Sequence, residues 1–128
     1  MKQWVWIEEH EVMALHGLLL AEHGGPIGVR DGSLLKSALA RPKQHLSYGT
    51  PDVHELAAIH TSGIVRNHPF VDGNKRTGFL VGVLFLELNG YRFEATEENA
   101  TRAMVALAAG EIDEAHYAAF LRGNSTRA

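Results

Sequence analysis

The segment from Asn67 to Gly78, N-H-P-F-V-D-G-N-K-R-T-G, concentrates side chains that can do chemistry. Between His68 and Arg76 it holds an imidazole, a carboxylate, an amide and two cations. An imidazole can act as a general base, a carboxylate can bind Mg²⁺, and cations can neutralise phosphate. The segment therefore predicts a phosphate-binding site with a base on one side and a metal-binding carboxylate beside it.

The local sequence also predicts how this segment is shaped. Pro69 disfavours helical geometry at His68, so a preceding helix is expected to end there. Gly73 permits a sharp turn, and a new helix is expected from about Asn74. The first amides of a helix have no carbonyl partners within it and lie at the positive end of its dipole. The start of this helix is therefore a predicted anion site.

Each of these residues also has an ordinary explanation. His68 could satisfy a backbone carbonyl at a helix end, and Asp72 could cap the next helix. Lys75 and Arg76 could be solvated surface charges. Their concentration on one loop, directly before the apolar run 79–86, favours the functional interpretation, because a folded core does not need so many polar groups there.

The other histidines give weaker signals. His54 followed by Glu55 suggests a zinc-protease helix, but that motif needs a second histidine where Ala58 stands, and His60 falls on a different helical face. We therefore predict no zinc site. Five more histidines are scattered and are expected on the surface or in satisfied core positions: His10, His16, His23, His45 and His116. The segments 24–25 and 30–32 are predicted to be turns.

Composition limits the classes of protein that remain. A chain of 128 residues and 14.0 kDa is expected to form one domain, residues 1–128. The net charge of -3 argues against direct nucleic-acid binding, and the absence of cysteine excludes disulfides and thiol nucleophiles. The apolar run 79–86 is shorter than the ~20 residues of a membrane span. A soluble, cytoplasmic protein without a membrane partner is predicted.

Helical periodicity and capping signals predict an all-α bundle of about six helices. They are expected near residues 8–23, 33–42, 52–67, 74–88, 96–110 and 113–122. Asp31 or Ser33 can cap the second helix, which Pro42 is predicted to end, and residues 42–51 are the longest predicted loop. The helix at about 74–88 is apolar all round, so the bundle is expected to wrap around it.

Three short segments complete the prediction. Residues 4–7 form either an edge strand or a cover for the core. Residues 91–93 form a brief extended link. The residues after Arg122 form a polar tail that is expected to fray.

Residues 68–76 resemble the signature of the Fic/Doc family. The Asn-Lys-Arg-Thr ending resembles the Doc ("death on curing") branch, because Fic adenylyltransferases have glycine at the position of Lys75 and a second arginine near Phe79. The segments 28–31, 34–42 and 88–91 also resemble Doc proteins. The resemblance covers about residues 10 to 122.

The resemblance implies a Fic-type fold and a specific activity. Doc proteins are toxins of toxin–antitoxin pairs, and they transfer the γ-phosphate of ATP to a threonine of elongation factor Tu, which halts translation. The resemblance assigns roles to six residues: His68 as catalytic base, Asp72 as Mg²⁺ ligand, and Gly73, Asn74, Lys75 and Arg76 as the nucleotide-binding turn.

Other functions stay open at the level of sequence. Lys75 and Arg76 would crowd one end of the nucleotide site. We expect this to reverse which end of ATP lies in the anion-binding turn and so to favour γ-phosphate transfer. The alternatives are Fic-type adenylyl transfer, a catalytically degenerate binding module, or a hydrolase. The self-inhibition motif [ST]-x-x-x-E-[GN] is missing, since Glu94 stands four residues before Glu98. A separate Phd-like antitoxin with a segment that folds on binding is therefore predicted.

Overall fold

The computed structural model describes residues 3–128, leaving out Met1 and Lys2, and over this range it contains six helices and one two-stranded sheet. In chain order the elements are α1 (Glu9–His23), α2 (Gly32–Leu46), α3 (Val53–Asn67), α4 (Asn74–Leu88), β1 (Tyr91–Phe93), α5 (Glu97–Ala108), α6 (Glu114–Gly123) and β2 (Ser125–Arg127). The predicted all-α class with about six helices is confirmed. Within residues 3–128, none of the helices combines the length and the apolar character that a membrane span requires.

The helices begin where the sequence provides caps. Four of the six helices in the described range follow a residue whose side chain accepts from the first turn: Asp31, Asp52, Thr96 and Asp113. Such caps stabilise a helix by binding N–H groups that have no partner within it. At α1, the Glu11 carboxylate accepts from Glu8 N at 2.8 Å, whereas α4 follows Gly73, which has no side chain.

The core of the bundle lies where α3 meets α4. Helix α3 is the most enclosed element: 12 of its 15 residues are buried, and α2, α4, α5 and α6 pack around it. Helix α4 has the bounds predicted from sequence and buries its own face against α3. Leu80, Val83 and Leu84 are only half-buried, so α4 shares the centre of the bundle with α3.

Two glycines on α4 allow the helices to approach closely. A Cβ atom at Gly82 would lie 2.2 Å from Thr61 Oγ1, and one at Gly78 would lie 2.9 Å from Val65 Cγ2. The Thr61 hydroxyl also donates a hydrogen bond of 2.8 Å to the carbonyl of Gly78. This close contact fixes the start of α4 relative to the end of α3, and the candidate site lies between them.

The predicted end of the second helix at Pro42 is wrong. Helix α2 continues to Leu46, and the predicted loop 42–51 shortens to residues 47–52. A proline inside a helix removes one backbone hydrogen bond. Burial of Pro42 and packing of Leu46 against the core offset that loss.

The predicted frayed tail is also wrong. The segment 91–93 is the strand β1, and β2 pairs antiparallel with it, Tyr91 opposite Arg127. Two further backbone bonds extend the pairing, from Glu94 N to Asn124 O at 2.8 Å and from Ala128 N to Gly90 O at 2.9 Å. The tail is ordered because β1 offers it unpaired backbone groups.

The N-terminal segment covers the core instead of forming a strand. The rings of Trp4 and Trp6 lie 6.1 and 5.7 Å from that of Phe85. The backbone of Val5 is held by the Asn89 side chain, which accepts from its N–H at 2.9 Å and donates to its carbonyl at 3.0 Å. Of the two alternatives left open by the sequence, the core cover is correct.

Candidate active site

The connection between α3 and α4 has the predicted shape. Helix α3 ends at Asn67, and His68 adopts a left-handed conformation with φ 54° and ψ 53°. Gly73, with φ 78°, then turns the chain into α4 at Asn74. A left-handed conformation is uncommon for a residue other than glycine, so the surrounding contacts must hold His68 in it.

One cavity of about 440 Å³ brings the six predicted site residues together. Its lining contains His68, Asp72, Gly73, Asn74, Lys75 and Arg76, together with Val65 and Ala108. The side chain of His68 is exposed. A buried imidazole that faced away from α4 would have contradicted the predicted site.

The start of α4 is an open helix N-terminus. The first backbone bond of the helix runs from Thr77 N to Gly73 O at 3.0 Å, so the amides of Asn74, Lys75 and Arg76 precede it. Lys75 and Arg76 are exposed. The cavity is therefore lined by a helix start with its three unpaired amides and by two cationic side chains, which suits a phosphate chain.

Asn74 has a different role from the one its type suggests. Its side chain is buried, with an exposed fraction of 3%. It accepts from Phe70 N at 3.0 Å and donates to Phe70 O at 3.0 Å, which fixes the orientation of its amide. Its Nδ2 also lies 3.1 Å from His68 Nδ1, so the Asn74 side chain contacts the imidazole. The side chain of Asn74 braces the loop, and its backbone N–H is the group that remains for an anion.

Asp72 presents a single exposed carboxylate. Its Oδ1 accepts from Gly73 N at 2.8 Å. Its Oδ2 lies beside Gly25, where a Cβ atom would be only 2.5 Å away and would collide with the carboxylate. Among residues 3–128, no group of three or more His, Asp or Glu side chains could hold a metal ion. Mg²⁺ usually binds one or two carboxylates and completes its shell with phosphate and water. The donor set fits a Mg²⁺ ion that arrives with a nucleotide.

Two residues at this site were missed by sequence reasoning. Arg30 donates from Nε to His68 O at 2.7 Å and from Nη2 to Asn67 O at 3.0 Å. His16 places Nε2 2.8 Å from Asp72 O. The only signal for Arg30 was its place in a segment similar to Doc proteins, and His16 had none apart from its position on the apolar side of α1.

A second cavity of about 900 Å³ adjoins the first, and Lys75 and Arg76 line both. Its walls include Phe79 and Phe93, whose ring centroids lie 5.9 Å apart in an edge-on arrangement, and Met104. The two cations thus stand between a polar cavity that contains His68 and a larger cavity with aromatic walls.

Comparison with known proteins defines the class. A sequence model of the Fic/DOC family matches residues 6–86. The chain belongs to the Fic/DOC family.

The similar curated proteins are Doc proteins. The chain is 32% identical to the "Protein kinase doc" of Escherichia phage P1 over 117 residues, 91% of this chain and 92% of that protein. It is 43% identical to the "Toxin Doc" of Mycolicibacterium smegmatis over 75 residues, 56% of this chain and 57% of that protein. These relatives support the Doc branch.

A solved structure supports the fold. The ADP-bound N-terminal Fic domain of a VirB-translocated Bep effector protein from Bartonella quintana matches with a TM-score of 0.50 and 19% identity. The match covers 81% of this chain and 53% of that one. The likeness concerns the fold alone, and it agrees with the Fic-type bundle that the sequence predicted.

Proposed function

We propose that this protein is a Doc-like toxin that transfers the γ-phosphate of ATP to a Ser or Thr hydroxyl of a protein target. One observation carries the proposal: the exposed imidazole of His68 shares a cavity with the open, cationic start of α4. That arrangement sets a proton acceptor beside a phosphate-binding helix end. Elongation factor Tu is the proposed target, and a halt of translation is the proposed outcome.

The names of the relatives support a nucleotide-dependent transferase. The relative from phage P1 is named a protein kinase, and the relative from M. smegmatis is named a toxin. The solved Fic domain was crystallised with ADP. A protein of this kind acts in the cytoplasm, where ATP and the translation machinery are found.

The proposed reaction needs little covalent chemistry from the protein. The target oxygen forms a bond to the γ-phosphorus, and its proton passes to the imidazole of His68. The bond from the γ-phosphorus to the bridging oxygen breaks, and ADP leaves with the electron pair. The amides of Asn74, Lys75 and Arg76, with the two cationic side chains, stabilise the negative charge on the phosphates.

Asp72 is the proposed Mg²⁺ ligand. The ion, when bound with ATP, neutralises phosphate charge. The chain's own contribution is to hold the carboxylate beside the helix start, where Gly73 N donates to its Oδ1 at 2.8 Å.

The shape of the two cavities favours phosphoryl over adenylyl transfer. The larger cavity has the aromatic walls that suit a base, and Phe79 stands near the position of a second arginine in Fic adenylyltransferases. We place the nucleoside there and the γ-phosphate beside His68, with Lys75 and Arg76 between them. In the opposite orientation, a triphosphate end would lie in the larger cavity, where the carboxylates of Glu94 and Glu97 oppose the charge of Lys75 and Arg76.

The same proposal includes a protein partner. Apolar side chains are exposed on the loop and on the segment that pairs with it, with Val71 and Ile27 at 49% and 77% exposure. A Phd-like antitoxin segment that folds on binding could cover such side chains.

Residues 1–128 are proposed to form one domain, because Ile7 and Tyr117, from opposite ends of the chain, belong to one core cluster.

The test is an incubation of the pure protein with ATP, Mg²⁺ and elongation factor Tu, followed by intact-mass measurement of the target. We expect the target to gain one phosphate. His68→Asn should lower the rate by ~10²–10⁴, the usual contribution of a general base. Asparagine is chosen because it tolerates the left-handed conformation at this position.

The matched control is His116→Asn, which changes an exposed histidine on α6 and should leave the rate unchanged. A target that gains one AMP would instead establish adenylyl transfer. Release of phosphate without a modified target would indicate a hydrolase. A His68→Asn variant as active as the wild type would remove the proposed base.

A further inference from the structure

The loop that carries His68 and Asp72 is held by two residues from different elements, His16 on α1 and Arg30 in the segment after α1. We propose that Arg30 and His16 are separate positioning residues, Arg30 for the base and His16 for the metal-binding carboxylate. The inference rests on the proposed function. Neither residue needs to touch the nucleotide, because each acts on a backbone carbonyl of the residue it positions.

Arg30 holds His68 through the end of α3. Its guanidinium donates to the carbonyls of Asn67 and His68 at 3.0 and 2.7 Å, and it places a positive charge at a helix C-terminus, where it is favourable. The backbone of Arg30 and Asp31 also donates to Pro69 O at 2.7 and 3.0 Å. These bonds oppose the relaxation of His68 from its left-handed conformation.

His16 holds Asp72 from the opposite side of the loop. A backbone carbonyl can only accept, so the contact of 2.8 Å from Nε2 to Asp72 O requires a hydrogen on Nε2. The ring stacks on Phe70 with centroids 3.8 Å apart and planes at 10°. His16 is 2% exposed. A rigid, buried donor therefore fixes the backbone of Asp72 while its carboxylate stays exposed.

The two contacts should be separable in function. Arg30 belongs to the segment after α1 and acts at the N-terminal end of the loop, whereas His16 belongs to α1 and acts four residues later. Loss of the Arg30 contact misplaces the base and should lower the transfer rate. Loss of the His16 contact misplaces a metal ligand and should weaken metal binding, as loss of such supporting partners typically does.

The first measurement is binding of Mn²⁺, as a probe for Mg²⁺, to the protein–ADP complex by electron paramagnetic resonance. His16→Met should weaken Mn²⁺ binding by ~10-fold or more. Glutamine is about as long as methionine but keeps an N–H donor, so His16→Gln should restore most of the Mn²⁺ affinity. His10→Gln is the matched control on the exposed side of α1 and should bind Mn²⁺ like the wild type.

The second measurement is the transfer rate at saturating Mg²⁺. Arg30→Met should lower kcat by ~10- to 100-fold, as expected for a misplaced reacting group, with Mn²⁺ affinity within about twofold of wild type. Arg30→Lys, with one donor group in place of the two-pronged guanidinium, should be intermediate. Arg102→Met changes an exposed arginine of α5 and should leave both quantities unchanged.

The third measurement does not depend on activity. In the unmodified protein, nuclear magnetic resonance should detect a slowly exchanging His16 Nε2–H with a coupling across the hydrogen bond to the carbonyl carbon of Asp72. In His16→Met, amide hydrogen exchange should accelerate at Gly73. In Arg30→Met, it should accelerate at Phe70, the residue after Pro69. These signals test the positioning contacts even if a variant loses all activity.

The outcomes separate the inference from the function it rests on. A wild type that neither binds Mn²⁺–ADP nor transfers phosphate overturns the proposed function, and the resonance and exchange data still test the contacts. Three results overturn the inference. The first is absence of the His16 coupling, and the second is unchanged Mn²⁺ affinity in folded His16→Met. The third is that His16→Met and Arg30→Met lose Mn²⁺ affinity and kcat to the same extent. If His16→Met does not fold, the His16 coupling decides.

Discussion

The starts of α3 and α4 differ in how the unpaired amides of the first turn are treated: α3 is capped by side chains and α4 is left open. At α3, the Asp52 carboxylate accepts from Glu55 N at 2.8 Å, and the Glu55 carboxylate accepts from Asp52 N at 3.1 Å. Arg122 adds a bond of 2.8 Å to Asp52 Oδ2. At α4 the cap position is Gly73, which has no side chain, and the first turn carries no acidic residue.

The difference separates stability from function. Acidic residues at a helix start are favourable because they meet the positive end of the dipole, and cations there are unfavourable. Lys75 and Arg76 stand at the second and third positions of α4, where they reduce helix stability. Their placement is useful only if an anion binds there. Substitutions at the two helix starts should therefore have opposite effects on stability and on nucleotide binding.

The largest expected effect is at α4. The double substitution Lys75→Glu with Arg76→Glu should lower ATP affinity by ~10²-fold or more, because charge-assisted hydrogen bonds are worth ~1.5–3 kcal/mol each. The free energy of unfolding should rise by ~0.3–1 kcal/mol per residue, since acidic residues suit a helix start. Calorimetric titration with ATP and chemical denaturation measure the two quantities.

A double variant with the same change of net charge is the control for this prediction. Lys36→Glu with Arg92→Glu alters exposed residues on α2 and β1 and should keep ATP affinity near the wild-type value. Retained ATP binding in the α4 variant would mean that the open helix start is not the phosphate site. A loss of stability there would contradict the dipole argument.

The next effect concerns His60, a buried histidine on α3. Burial lowers the pKa of His60 from 6.5 to about 4. The unfolded chain therefore takes up a proton below pH ~6.5, while the folded protein takes it up only near pH 4. The stability contribution of neutral His60 should be complete above pH ~6.5 and should fall by up to ~3 kcal/mol as the pH drops to ~4.

Denaturation at several pH values tests this prediction. His60→Phe, which keeps an aromatic ring between Trp6 and Phe85, should flatten the pH dependence between 6.5 and 4. A smaller slope should remain, because burial also lowers the pKa of His54. His10→Gln, at an exposed position, should keep the wild-type slope. An unchanged slope in His60→Phe would show that other groups control acid stability.

The local features of the site could be predicted from sequence. The end of α3 before Pro69, the turn at Gly73 and the bounds of α4 depend on the backbone preferences of a few neighbouring residues. The capping box of Asp52 and Glu55 is a local signal of the same kind. For this reason the loop and the two helix ends that form the cavity were placed correctly.

The long-range contacts could not be predicted. His16 lies 56 residues before Asp72, and Arg30 lies 38 residues before His68. No spacing rule connects such positions, so both were assigned to ordinary surface, core or turn roles. The pairing of β2 with β1 has the same origin, because the tail is polar and becomes ordered only through a distant strand.

The smallest expected effect is at the capped start of α3. Asp52→Ala should lower the free energy of unfolding by ~1 kcal/mol, the usual cost of removing a helix cap, and should leave ATP affinity unchanged. Burial pushes the pKa of Asp52 up, but the N–H of Glu55 and the Arg122 guanidinium outweigh it and lower the pKa. The carboxylate therefore contributes stability above pH ~4. That contribution is lost as the pH falls through the lowered pKa.

Chemical denaturation at neutral and acidic pH measures the difference between Asp52→Ala and the wild type. The difference should be largest near pH 7 and should shrink at low pH, where the wild-type carboxylate is protonated. Asp52→Asn is the matched control, because it keeps a capping oxygen and should recover part of the stability. If Asp52→Ala weakened ATP binding as much as the charge reversal at α4, the two helix starts would not be specialised. The contrast between a stabilising end and a binding end would then be wrong.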